Sequence, residues 1–234
     1  MELGRRRLTV VAGHYGSGKT EFAVNLACSM GEQGRRCTLC DLDVVNPYFR
    51  AREQETLLAE HGVDLVAPRF QGPEADIPAL PAEIFAVLQN PNRYSVLDLG
   101  GDGIGARALA RFRREIDPAQ AEILFVLNAN RPETASAERA SLYMQQICGV
   151  LGLGFTGIVN NTHLCGETSA EDVLRGAELA AETAALTGVP VRCHAVHRRL
   201  VQCVQQRLTG EILPLQIYMK KPWEVENDDG KSDL

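Results

Sequence analysis

Eight residues near the start of the chain have the types and spacing of a phosphate cradle. They are Gly13-His14-Tyr15-Gly16-Ser17-Gly18-Lys19-Thr20, the pattern G-x-x-x-x-G-K-[ST]. The glycines let the backbone curl so that its N–H groups converge on phosphate oxygens. A helix starting at the loop's end adds its partial positive charge. Lys19 is placed to reach the β- and γ-phosphates, and Thr20 to put its hydroxyl on Mg²⁺. Glu21 follows and completes the stretch assigned to the nucleotide.

Mg²⁺ takes oxygen ligands and keeps several waters. Asp98 closes an apolar run at residues 94–97, where a metal-holding carboxylate is expected. With the residues after it, Asp98-Leu99-Gly100-Gly101 reads as D-x-x-G, in which a glycine amide senses the γ-phosphate. Asp102 is a second acidic candidate beside it. Asp41 and Asp43 end another apolar run in Cys40-Asp41-Leu42-Asp43. One of such a pair can hold the metal shell while the other orients or deprotonates an attacking water. Asn46-Pro47 then begins a stiff turn before Tyr48-Phe49-Arg50, a loop able to close over the γ-phosphate.

These residues need a frame that brings them to one edge. Short, near-continuous apolar runs at 8–12, 36–41, 63–67, 94–99, 122–127, 155–160 and 189–194 read as strands buried on both faces. Helical patterns alternate with them at 20–33, 49–61, 82–89, 106–116, 136–148, 171–186 and 198–207, the last closing the folded part. Thr168-Ser169-Ala170-Glu171 reads as a capping box before the sixth helix, and Thr134 as a cap before the fifth. The alternation predicts an α/β fold: a doubly wound, mostly parallel sheet of about seven strands with helices on both faces. The expected unit is one domain over residues 1–223, with 224–234 a mobile acidic tail. In such sheets ligands bind at the C-terminal ends of the strands, and every motif above falls there.

Bulk composition narrows the classes. The 234 residues are 45% hydrophobic and carry a formal net charge of -6, which argues against nucleic acid as a partner. No apolar run is long enough to span a bilayer. Seven cysteines at irregular spacing fit a reducing, cytoplasmic compartment better than a disulfide scaffold.

Taken together, the motifs resemble the MinD/ParA/CobQ-like branch of P-loop NTPases, the SIMIBI class. The resemblance covers roughly residues 8–195. It rests on the phosphate loop, on Asp41-Leu42-Asp43, on Asp98–Gly101, and on Gly157-Ile158-Val159-Asn160-Asn161-Thr162, where an asparagine after a late strand reads the base. It implies ATP/ADP and Mg²⁺ as cofactors, Lys19 and Asp43 as catalytic residues, and Thr20, Asp41 and Asp98 around the metal. Asn160 or Asn161 would hold the adenine edge; adjacent residues in a strand point opposite ways, so the choice stays open. One departure is plain: His14 stands where MinD/ParA proteins place a signature lysine that crosses to a dimer partner, and Tyr15 at the following glycine. Arg50 and Arg131 are alternative sources of positive charge. The guanine-reading N-K-x-D is absent, which favours ATP over GTP. The tail, Lys220-Lys221-Pro222-Trp223 followed by acidic residues, does not resemble MinD's membrane helix.

Two functions compete. One is an ATPase switch acting on a protein partner, with a nucleotide-dependent homodimer as its corollary. The other is an ATP-dependent small-molecule kinase or ligase of the CobQ/dethiobiotin synthetase type, with the proline-rich segment 68–81 and the region around Arg107 as candidate acceptor walls. Cys37 and Cys40, though spaced C-x-x-C, are expected to point to opposite faces. Cys193, His194, His197 and Cys203 form a denser group, read as a strand end and following helix rather than zinc ligands.

Overall fold

The computed structural model describes residues 3–43, 54–67, 82–101 and 103–219. The loop from Asn46 to Arg50, the segment 68–81, Asp102 and residues 220–234 therefore lie outside the described residues, as does the start of the helix expected at 49–61.

Fifteen elements alternate along the described chain: β1 (Leu8–Ala12), α1 (Lys19–Glu32), β2 (Cys37–Leu42), α2 (Glu55–Glu60), β3 (Val63–Val66), α3 (Ala82–Gln89), β4 (Tyr94–Leu99), α4 (Ile104–Ala110), β5 (Ala121–Leu127), α5 (Ala137–Leu151), β6 (Gly157–Asn160), α6 (Ala170–Thr187), β7 (Val191–His197), α7 (Val201–Val204) and β8 (Glu211–Leu215). All eight strands join one parallel sheet in the order β3-β2-β4-β1-β5-β6-β7-β8. Because every pairing is parallel, all strand C-termini open on the same edge. The strand order turns around at β1, so the loop after β1 sits where doubly wound sheets bind ligands.

Alternation along each strand divides the core in two. Leu8, Val10 and Ala12 pack on one face with Cys40, Leu42, Leu97 and Leu99, under α3, α4 and α5. Val11, Leu39 and Val96 pack on the other with Phe22, Val24 and Leu26 of α1. Burial of this apolar surface on both faces is the dominant stabilising term, and it fixes which side chains of each strand face α1.

Three expectations change. An eighth strand, β8, extends the sheet beyond β7. Its Pro214 cannot donate to a ladder and is tolerated because β8 is an edge strand. The capping box on α6 is one residue later than expected: Ser169 accepts from Asp172 N–H and Asp172 accepts from Ser169 N–H. Thr168 instead closes a tight turn, accepting from Leu164 N–H and donating to Cys165 O. Ser136, not Thr134, caps α5; the buried Thr134 hydroxyl donates to Asn128 O.

Candidate functional site

The phosphate loop joins β1 to α1, as its motif requires. Gly18 is the N-cap of α1 in the left-handed conformation, with φ 80°. A side chain there would be strained by the backbone alone. It would also collide with its surroundings: an added Cβ would lie 2.5 Å from Asn161 Nδ2 and 2.7 Å from His163 Nε2. The loop is braced from inside by Ser17 N–H and Lys19 Nζ, both donating to His14 O at 3.1 Å. Lys19 is 5% exposed. His14 Nδ1 lies 2.8 Å from Tyr15 O, and since a carbonyl only accepts, that nitrogen carries the proton. Tyr15 stands out into solvent, 57% exposed.

Below the loop sit the carboxylates. Asp41 and Asp98 are register partners on the adjacent strands β2 and β4. Both lie on the α1 face, two residues on from Leu39 and Val96. Asp98 is fully buried, and neither of its carboxylate oxygens completes a hydrogen bond. Burial first, and the neighbouring Asp41 second, push its pKa up to about 8, with Lys19 and Thr20 giving partial relief. The Ser17 hydroxyl is likewise buried without a partner. Asp41 Oδ1 accepts from Asp43 N–H at 2.9 Å, which turns the chain so that Asp43 leaves the sheet half-buried beside the site.

This donor set fits Mg²⁺. A carboxylate with both oxygens unpartnered, a second carboxylate beside it and a threonine hydroxyl within influence are hard oxygen donors. Among the described residues no group of three or more His, Cys, Asp or Glu is gathered to hold a metal. A cation here would therefore draw its remaining ligands from phosphate oxygens and water, which is Mg²⁺'s usual habit.

The two asparagines do point opposite ways, and both amides are engaged by the protein. Asn160 is fully buried; its Nδ2 donates to Val173 O at 3.0 Å and lies 3.2 Å from His194 Nδ1, and its Oδ1 accepts from Thr162 N–H. Asn161 Nδ2 donates to Ser17 O at 2.8 Å and Gly18 O at 3.3 Å. Its place is under the phosphate loop. Arg131 is a second brace, its Nε donating to Gly16 O at 2.8 Å. His163 completes this wall; burial, then the nearby Arg131, hold its pKa down to about 4, so it is neutral at pH 7.

Glu21 is turned elsewhere. It lies beside the loop in sequence but accepts from Tyr218 N–H at 2.9 Å and Met219 N–H at 3.0 Å. Both oxygens of this carboxylate are engaged by the end of the described chain. Gly101, by contrast, packs directly on the loop, where an added Cβ would lie 2.5 Å from Tyr15 N and 3.0 Å from Lys19 Nζ.

The weaker groups stay apart from this chemistry. Cys37 packs on the α1 face and Cys40 on the other, and burial pushes both thiols up to about 12. Cys193 is buried and Cys203 exposed, while His197 caps the turn after β7 by accepting from Arg199 N–H. All seven cysteines are free thiols.

This architecture, a parallel sheet with a glycine-rich loop and lysine at its switch point, is the fold of P-loop nucleotide-binding proteins. Solved structures agree. FtsY from Mycoplasma mycoides superimposes with a TM-score of 0.55 at 17% identity, over 82% of this chain and 60% of its own. FtsY from Thermotoga maritima gives 0.54 at 20% identity, over 82% and 62%. The signal recognition particle receptor FtsY from Elizabethkingia anophelis, solved in complex with GDP, gives 0.52 at 20% identity, over 82% and 57%. The chain thus spans about three fifths of the length of these structures. No protein-family model and no curated protein matches the chain. Among the described residues no helix is long and apolar enough to cross a membrane.

Proposed function

We propose that this protein is a Mg²⁺-dependent nucleoside triphosphatase, working as a nucleotide switch for a protein partner. The observation that carries the reading is Asp98. A fully buried carboxylate beside Asp41, neither oxygen of which completes a hydrogen bond and which Lys19 and Thr20 relieve only in part, is costly unless a ligand completes it. Thr20, Asp98 and Asp41 would hold the cation, which when bound neutralises phosphate charge. The N–H groups from Gly13 to Thr20, those of His14 and Tyr15 included, cradle the phosphates. Lys19 carries the compensating positive charge, and Asp43, at the mouth of the site, orients the attacking water. Asn161 and Arg131 keep the cradle's shape. FtsY of Elizabethkingia anophelis holds GDP on this fold, which supports a nucleotide ligand. The absence of N-K-x-D supports adenine, hence ATP, as the base bound here.

Calorimetric titration tests this. With Mg²⁺, ATP and ADP should bind, GTP should compete weakly, and Lys19→Ala and Thr20→Ala should each lower affinity at least tenfold. If GTP binds better, the adenine assignment fails and the switch stands. If no nucleotide binds in the millimolar range, the whole reading is wrong.

A further inference from the structure

Tyr143 lies in the middle of α5, 42 residues from the D-x-x-G segment, yet its hydroxyl donates to Gly101 O at 2.6 Å. The same side chain meets the phosphate loop. The His14 ring stands edge-on to it, with centroids 5.2 Å apart and planes at 69°. Phe125 of β5 backs the ring at 6.4 Å. Gly101 in turn packs so closely on Tyr15 and Lys19 that a Cβ would not fit. One phenol therefore ties together the loop after β1, the loop after β4 and α5. It is half-buried and packed against the His14 and Phe125 rings, so its hydroxyl is held in place rather than free to rotate away.

We infer that Tyr143 is a positioning residue of the phosphate site: by holding the Gly101 carbonyl, it sets how the glycine amides after β4 meet the terminal phosphate. This rests on the nucleotide reading above. The hydroxyl is directed at the Gly101 carbonyl, on the segment after β4. Its loss should leave diphosphate binding intact and weaken only contacts made to the third phosphate. Through α5, which carries the exposed Leu142 next to it, it also links the phosphate site to the surface.

Tyr143→Phe keeps the ring, its edge contacts and its burial and removes one oxygen, so the fold should survive; a thermal melt checks it. The experiment compares the affinity of a non-hydrolysable triphosphate with that of the diphosphate, both with Mg²⁺, in wild type and variant. One neutral hydrogen bond corresponds to a factor of roughly three to ten. The triphosphate affinity should fall by about that factor while the diphosphate affinity stays within about twofold, and kcat should fall more than KM rises. An unchanged triphosphate-to-diphosphate ratio, or equal losses for both, would overturn the proposal while leaving the nucleotide reading intact. A wild type that binds neither nucleotide would overturn both.

Discussion

Asp98 is where function and stability pull against each other most directly. Its folded-state pKa of about 8 stands above the ordinary 3.8, because burial and Asp41 disfavour the charge. Between those values the folded protein holds a proton that the unfolded chain releases. The stability Asp98 contributes is therefore full below pH 3.8 and is lost as pH rises toward 8. Over that window the loss is on the order of a few kcal/mol. Asp98→Asn should flatten the slope: urea denaturation without nucleotide should show the variant more stable than wild type at pH 8 and nearly equal to it at pH 4. The same variant should lose Mg²⁺-dependent nucleotide binding. An unchanged pH slope would show that Asp98 is not the strained group. The sequence marks this residue by its place at the end of an apolar run. It marks Asn161 only as a candidate for the base and not as a brace on the backbone of Ser17 and Gly18, 144 residues away at the first of them. Likewise it offers Arg131 as a source of positive charge and not as a hydrogen-bond donor to Gly16 O. Side chains that hold a backbone carbonyl leave no spacing pattern, because their partner has no side-chain identity to read.

At the scale of elements, α1 does more than open at the phosphate loop. Glu21 and Asn25 sit one turn apart on one face and grip the segment after β8. Asn25 donates to Gln216 O and accepts from Gln216 N–H, both at 2.9 Å, while Glu21 takes Tyr218 and Met219. Burial raises the Glu21 pKa despite these bonds, so the grip is made in a partly desolvated place. Glu21→Ala leaves two N–H donors without their acceptor and should cost about 1–3 kcal/mol. Hydrogen exchange should then speed up at Tyr218 and Met219 while β1 and β5 keep their protection. Unchanged exchange at those two amides would mean the segment is held by its apolar contacts instead. What could be read beforehand at this scale follows from punctuation. The bounds of β1, α3 and β4 match their sequence reading, since each is a clean apolar or helical run between breakers. β8 is missed because Gly210 precedes it and Pro214 interrupts it, leaving no continuous apolar run to read as a strand. The α6 cap is off by one because Thr168 and Ser169 both have an acid three residues on, Glu171 and Asp172. Only the three-dimensional turn at Cys165 takes Thr168 out of contention.

For the whole molecule, the parallel sheet opens every strand C-terminus on one edge, and two exposed apolar side chains neighbour residues of the phosphate site there. Tyr15, 57% exposed, follows His14, and Leu142, 58% exposed, precedes Tyr143, whose ring His14 touches. Large apolar side chains left in water around a phosphate loop suit a contact that forms only with nucleotide. In a two-fold contact each copy would present the same patch, and no lysine at position 14 is needed for apolar burial to drive it. Size-exclusion chromatography with light scattering, run without nucleotide, with the diphosphate, and with Mg²⁺ and a non-hydrolysable triphosphate, separates the possibilities. The mass should double only in the third condition, and Tyr15→Ser should abolish the doubling with triphosphate affinity retained. A mass unchanged in all three would remove the dimer from the scheme. The proposed hydrolysis would then need another coupling at the same edge, and phosphoryl transfer to a small acceptor, tested by metabolite-stimulated turnover, would become the stronger account of the candidate site at Lys19, Asp43 and Asp98.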